Sequence, residues 1–340
     1  MTSRTAVLAH AARLARHAPS ILNTQPWQWH IGRHTAELRP DTTRSLPYLD
    51  PDHHLMLLSC GAALHHATVA IQAQGRQVTV ERGTDPLARL TLGPPDTPRH
   101  TDLAAAITHR RTDRRAFGSQ TPGDEIIADL RKAVAAQGLH LRPVRRDELP
   151  LLAAATSRAA SDAAHRPGLR AEVATWTDRP TEHGDGIPTA TTATATLRRV
   201  PMRDFAPGSD GGFAISAAAS DIGARYVVLH SDHPDDWLRA GAALSALLLT
   251  ATVRGVACSP MSELVEAPWP RSILTTLIGT TGHPYLVVRL GYPVDDGPPP
   301  AAPRRPETET THYGFTNASP HPGLTNASPH PRLMDASPRP

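Results

Sequence analysis

The sequence is poor in most of the features that settle a protein's class quickly. It has two cysteines in 340 residues, Cys60 and Cys258, both in apolar surroundings and neither in a CxxC or Cys/His array. Neither a disulfide framework nor a zinc site is indicated. Aromatic residues make up 4%, too few to stack bases along a polynucleotide. Lysine occurs once, at Lys132, among 35 basic residues, and the net charge is only +3. An arginine-, alanine- and proline-rich composition of this kind reads as codon bias, so the high pI is not taken as a nucleic-acid footprint. The N-terminal twenty residues carry Arg and His throughout, without an apolar signal core. The apolar run at 240–253, AGAALSALLLTATV, is too short to span a bilayer. The expectation is a cytoplasmic protein with no membrane or nucleic-acid partner. A Walker A loop, a GxGxxG fingerprint, HExxH and G-x-S-x-G are all missing. The His pairs at 53–54 and 65–66 lack spaced carboxylates and point to different sides of a helix, so no metal site is expected.

What is present suits a soluble globular chain, 39% hydrophobic and 20% charged. Helical spacing runs over 3–17, ended by Pro19, and a strand pair turning at Gly32 over 27–40. A long apolar helix spans 53–74, followed by a strand at 77–81. Residues 121–138 read as a helix capped by Thr121, with a strand at 139–144 behind it and two helices within 146–177. Residues 178–212 are rich in Thr, Pro and Gly and weakly periodic, and read as a lid or surface excursion. Strands at 225–231 and 285–292 and helices at 234–254 and 268–278 follow. The stretches GAALHHATVAIQAQG (61–75) and GAALSALLLTATVRG (241–255) share their opening and closing residues at a constant offset, with Leu58 and Leu238 also matching. This suggests two half-chains of related α+β design packed face to face. The domain expectation is a first half over 1–104, a second over 105–306, and a disordered Pro/Ser-rich repeat tail over 307–340.

Four stretches carry the polar chemistry. APSILNTQPW (18–27) offers Ser20, Asn23, Thr24 and Gln25 between two prolines, and Pro26 is expected to hold Gln25 extended. HRRTDRRAF (109–117) places four Arg around a Thr, a compact set suited to one phosphate. GVACSPMSELVE (255–266) follows the second long helix. RLGYPVDDGPPPAAPRRP (289–306) is a strand and a proline-rich leash ending in Arg304 and Arg305.

In order and content these stretches resemble the nitroreductase-like flavoproteins, most closely the Acg-like branch with two nitroreductase-like halves in one chain. The resemblance covers about 5–306. It implies an internally duplicated nitroreductase-like α+β fold, with mixed or antiparallel sheets flanked by long central helices. It implies FMN as cofactor, held by Ser20, Asn23 and Gln25 at the ribityl chain and ring. Arg110, Arg111, Thr112 and Arg114 would clasp the phosphate, the choice among Arg110, Arg111, Arg114 and Arg115 being open. Pro260, Met261 and Ser262 would lie at the ring, and Arg304 and Arg305 would reach the phosphate again. Thr for Ser and one extra residue before Phe117 depart from the family pattern. The implied activity is NAD(P)H-dependent reduction of a small nitro or quinone-like acceptor, with no catalytic side chain required. The alternative is a protein that holds FMN under its lid without turnover. The chain would be pseudo-dimeric, a monomer or a homodimer, with one flavin between its halves.

Overall fold

The computed structural model describes residues 3–177, 179–192, 198–205, 221–234, 236–279, 282–294 and 297–314. The first half contributes helix α1 (Arg4–Ala15), the hairpin β1 (Trp27–Ile31) and β2 (Thr35–Pro40), helix α2 (His54–Ala73), and strands β3 (Arg76–Arg82) and β4 (Ala88–Pro95). In β1 the alternation turns Trp27, Trp29 and Ile31 into the core and leaves Gln28 and His30 half-exposed. The second half contributes α3 (Thr101–His109), α4 (Asp124–Ala135), β5 (His140–Pro143), α5 (Leu149–Ala164), α6 (Pro167–Trp176), β6 (Arg225–Ser231), α7 (Trp237–Val253), β7 (Ala257–Met261), α8 (Pro268–Ile278) and β8 (His283–Gly291). A short β9 (Thr311–Tyr313) closes the described chain. The first sheet has the order β3-β4-β2-β1-β9 and the second β5-β6-β8-β7. The second is antiparallel throughout, and the first is mixed because β9 runs parallel to β1. The architecture is α+β, one mixed and one antiparallel sheet flanking the long central helices α2 and α7.

The halves meet where α2 crosses α7. A methyl group on Gly61 would run into the Leu238 carbonyl, and one on Gly241 into the Leu58 carbonyl. The two contacts are reciprocal: Gly61 corresponds to Gly241, and Leu58 to Leu238, at the offset of the GAAL repeat. Glycine is required at both positions because backbone meets backbone. One turn further along, His65 Nδ1 and His66 Nδ1 each lie 2.8 Å from Ser245 Oγ. Ser245 has a single O–H, so one ring must donate to it. His66 Nδ1 also faces the Ala62 carbonyl at 3.1 Å, which can only accept. His66 therefore carries its proton on Nδ1, and Ser245 donates to His65. Burial holds both imidazoles neutral, with His65 pulled down to about 4.

Several elements differ from the reading of the sequence. The helix at 121–138 begins at Asp124 behind Gly123, and Thr121 does not cap it. Strand β7 contains Pro260, which reads as a strand breaker. It is tolerated because β7 is an edge strand, where the missing N–H breaks no ladder. Residues 307–313, expected within a disordered tail, are ordered: Glu307–Thr310 form a helical turn and β9 pairs with β1. Residues 315–340, with the repeats, lie outside the described residues. Helix α2 is long and apolar enough to cross a membrane, a property the sequence reading passed over. Of its most apolar window 83% is buried inside the protein, against α1 and α7.

The glycine crossing gives a stability prediction. Gly→Ala within a helix ordinarily gains about 0.5–1 kcal/mol. Forcing two packed backbones apart costs about 1–3 kcal/mol or more. Gly61→Ala and Gly241→Ala are each expected to lower the urea midpoint with unchanged slope. Their double variant should lose less than the sum, because both release one contact. Wild-type or higher midpoints would show that the helices do not touch there.

Candidate functional site

The stretch APSILNTQPW forms a tight turn with three residues at positive φ, Leu22 (46°), Asn23 (55°) and Gln25 (50°). Gln25 is therefore not extended, contrary to the expectation from Pro26. The tertiary hydrogen bonds around it explain why. Its backbone N–H donates to Ser20 Oγ (2.9 Å), and its side-chain Nε2 donates to the Gly184 carbonyl (2.8 Å). Its Oε1 accepts from the Arg305 N–H and its carbonyl from Arg305 Nη1, both at 3.0 Å. A left-handed non-glycine residue costs on the order of 1–3 kcal/mol. Each neutral hydrogen bond contributes about 1 kcal/mol and those to charged groups somewhat more, so the turn is held because many converge on it.

In front of this turn lies a two-lobed cleft. One lobe, about 130 Å³, is lined by His17, Asn23, Arg110, Arg111 and Arg304 among others. The adjoining lobe, about 90 Å³, is mainly apolar, walled by Leu22, Leu55, Leu58, Phe205 and Leu244, with Pro260 and Ser262. Ser20, Thr112, Arg114 and Ile187 line both. The walls come from both halves: the turn and α2 from the first, the Arg segment, α7 and β7 from the second, and the leash from beyond β8.

The Arg segment is sorted by its partners. Arg115 turns inward to Asp113 (2.6 Å) and the Gly297 carbonyl (3.0 Å). Arg289, fully buried, donates to the carbonyls of Asp113 and Arg115 (2.9 and 2.7 Å) and pairs with Asp221 (2.6 Å). The Asp113 N–H donates to the Cys258 carbonyl (2.8 Å), tying the segment to β7. That scaffold leaves Arg110, Arg111 and Arg114 at the cleft. Arg110 Nε and Nη1, Arg111 Nε and Arg304 Nε are buried with no hydrogen-bond partner. None of these three residues has a carboxylate partner among the described ion pairs. Burial first, and then neighbouring guanidinium groups, pull Arg110 down to about 10 and Arg304 to about 9. Burial likewise lowers Arg114 to about 10, against the pull of Asp113 and Glu263. Buried, unpaired guanidinium groups are costly unless an anion joins them.

The other expected residues are placed as follows. Asn23 lines the cleft, but both its amide hydrogens are taken, by the carbonyls of Gly186 (2.9 Å) and Pro303 (3.1 Å). Its Oδ1 accepts from Arg304 Nη1 (2.7 Å), leaving one lone pair for anything else. Gln25, Met261 and Arg305 do not line it. Met261 is packed in the core. Arg305 lies behind the turn, paired with Asp41 (3.0 Å). Gln25 and Arg305 hold the turn's shape. The described parts of 178–212 border the cleft through Gly186, Ile187, Thr191 and Phe205, and Arg114 donates to the Thr191 carbonyl (3.3 Å). Residues 206–212 lie outside the described residues. Glu266 pairs with Arg203, and burial pushes the Glu263 carboxyl above its usual range. His17 was missed: a titratable residue next to a polar motif was the available signal.

No family profile matches the chain. Two Mycobacterium tuberculosis proteins are similar along nearly its whole length. "Putative NAD(P)H nitroreductase acg" is 34% identical over 318 residues, 91% of this chain and 96% of that protein. "Putative NAD(P)H nitroreductase Rv3131" is 36% identical over 317 residues, 88% of this chain and 89% of that one. The chain belongs to the nitroreductase-like family, in its Acg-like branch. Among solved structures, a nitroreductase with bound FMN from Desulfitobacterium hafniense is 14% identical, covering 63% of this chain and 98% of its own, at a TM-score of 0.38. One from Bacteroides fragilis is 18% identical, covering 58% and 90%, at 0.35. Likenesses this loose carry no argument.

Replacing Gln25 by Leu is expected to orphan the Gly184 carbonyl and the Arg305 N–H. At about 1–3 kcal/mol for each buried group left unpaired, chemical denaturation should show a loss of about 2–4 kcal/mol. An unchanged midpoint would show that Gln25 does not hold the turn.

Proposed function

We propose that this cleft binds FMN and that the protein is an NAD(P)H-dependent oxidoreductase of nitroreductase type. The observation that carries the reading is the set of buried, partner-lacking guanidinium nitrogens on Arg110, Arg111 and Arg304 at one end of a cleft whose other end is apolar. A phosphate on an apolar ring system has that polarity. Arg110, Arg111, Arg114 and Arg304 would hold the phosphate, and Thr112 would add a hydroxyl. Ser20 and Asn23 would face the polar chain. Leu55, Leu58 and Leu244 would pack on the ring, with Pro260 and Ser262 at its edge. When bound, FMN supplies the two-electron chemistry. The residues of the chain would neutralise the phosphate, orient the ring and keep water from the apolar lobe. The names of the relatives favour turnover with NAD(P)H and a small nitro acceptor. The alternative of a flavin held without turnover draws on Ile187, Thr191 and Phe205, which border the cleft.

A charge-assisted hydrogen bond contributes about 1.5–3 kcal/mol. The double variant Arg110→Ala, Arg114→Ala should therefore bind FMN at least about 100-fold more weakly while keeping its circular dichroism spectrum. Wild-type flavin content after purification would overturn the phosphate assignment. The wild-type protein loaded with FMN should oxidise NADPH in the presence of a nitroaromatic acceptor. A rate no higher than that of free FMN would replace the reductase reading with the holding one.

A further inference from the structure

His17 follows directly on α1 and lines the same lobe as Arg110, Arg111 and Arg304. Its carbonyl accepts from Arg304 Nη2 (3.1 Å) and Arg110 Nη2 (3.4 Å), so two guanidinium groups of the cleft fix its backbone. Among the described residues neither of its ring nitrogens hydrogen-bonds a protein group. The charged groups that face it are Arg16 beside it, Arg110 and Arg111 from the segment after α3, and Arg304 from the leash. No carboxylate is in that set.

We propose that His17 is a further anion-binding residue of the cleft, neutral when the lobe holds no anion and protonated from solvent when a phosphate monoester enters. This deepens the FMN reading and rests on it. The electrostatics agree with the placement. Burial, then Arg304, Arg16, Arg110 and Arg111, hold the imidazole down at about 4 in the free protein. A phosphate dianion offsets those cations and adds negative charge beside the ring. The C-terminal end of α1 favours a cation there as well. His66, the other imidazole near Arg110 and Arg304, is fully buried and hydrogen-bonded within the helix pair, so it is not the responding group. The sign follows by linkage. The bound state holds more protons than the free state between about 4 and the raised bound value, so binding tightens as pH falls through that window. Above pH ~6 the phosphate itself is mostly dianionic, and any proton it sheds on binding has the opposite sign.

The test is isothermal titration of FMN into flavin-free full-length protein at pH 7.0, in two buffers of different ionisation enthalpy, for wild type and His17→Gln. Riboflavin, which lacks the phosphate, serves as the control ligand. Wild type should take up a substantial fraction of a proton with FMN and none with riboflavin, and His17→Gln should show only the small release from the phosphate with FMN and none with riboflavin. The variant's FMN affinity should fall roughly tenfold at pH 7.0 and less at pH 8.5, with riboflavin affinity unchanged. Equal proton counts for wild type and variant, for FMN and riboflavin, or an equal affinity loss at both pH values, would overturn the role of His17 while leaving FMN binding intact. Failure of wild type to bind FMN at all would overturn the FMN reading and this proposal together.

Discussion

The structure turns on one contact, the crossing of α2 and α7 at Gly61 and Gly241. Because each glycine meets the carbonyl three residues before the other, the two helices pack backbone against backbone. That approach brings Leu55 and Leu58 of one half beside Leu244 of the other, and these residues wall the apolar lobe. It also encloses His65, His66 and Ser245, whose hydrogen bonds match only in one tautomer pattern. Bulk at either glycine would separate the halves and open the cleft between them.

A second constraint is the shortage of acids near the cleft's polar end. The chain uses its buried carboxylates elsewhere: Asp113 on Arg115, Asp221 on Arg289, Asp41 on Arg305. Those pairs shape the walls, and the guanidinium groups left at the cleft are the unpaired ones. The strained turn has the same division of labour. Gln25 and Arg305 hold it from behind, and Ser20 and Asn23 present its front.

Much of this was legible in the residues. The amphipathic and apolar periodicities placed most helices and strands, and the GAAL repeat located the helix pair at the centre. Residues from all four polar stretches line one cleft. What was not legible depended on partners far away in sequence. Pro26 argued for an extended Gln25, but Gly184 and Arg305 hold it left-handed. Arg304 and Arg305 are identical in type, and Asp41 and the Gln25 carbonyl, both far away in sequence, draw Arg305 behind the turn. Pro260 hid β7 because edge position cannot be read from a single strand. Phe205 sits in a weakly periodic segment, and nothing local marks it as a wall of the cleft.

The central claim is that one flavin site is built between two halves of a single chain. The most direct test is the saturating ratio of FMN to polypeptide, taken from the absorbance spectrum, together with the mass of the particle in solution. The account predicts one FMN per chain, whether the particle is a monomer or a dimer. One FMN per two chains, two per chain, or a colourless protein that FMN does not reconstitute would contradict it.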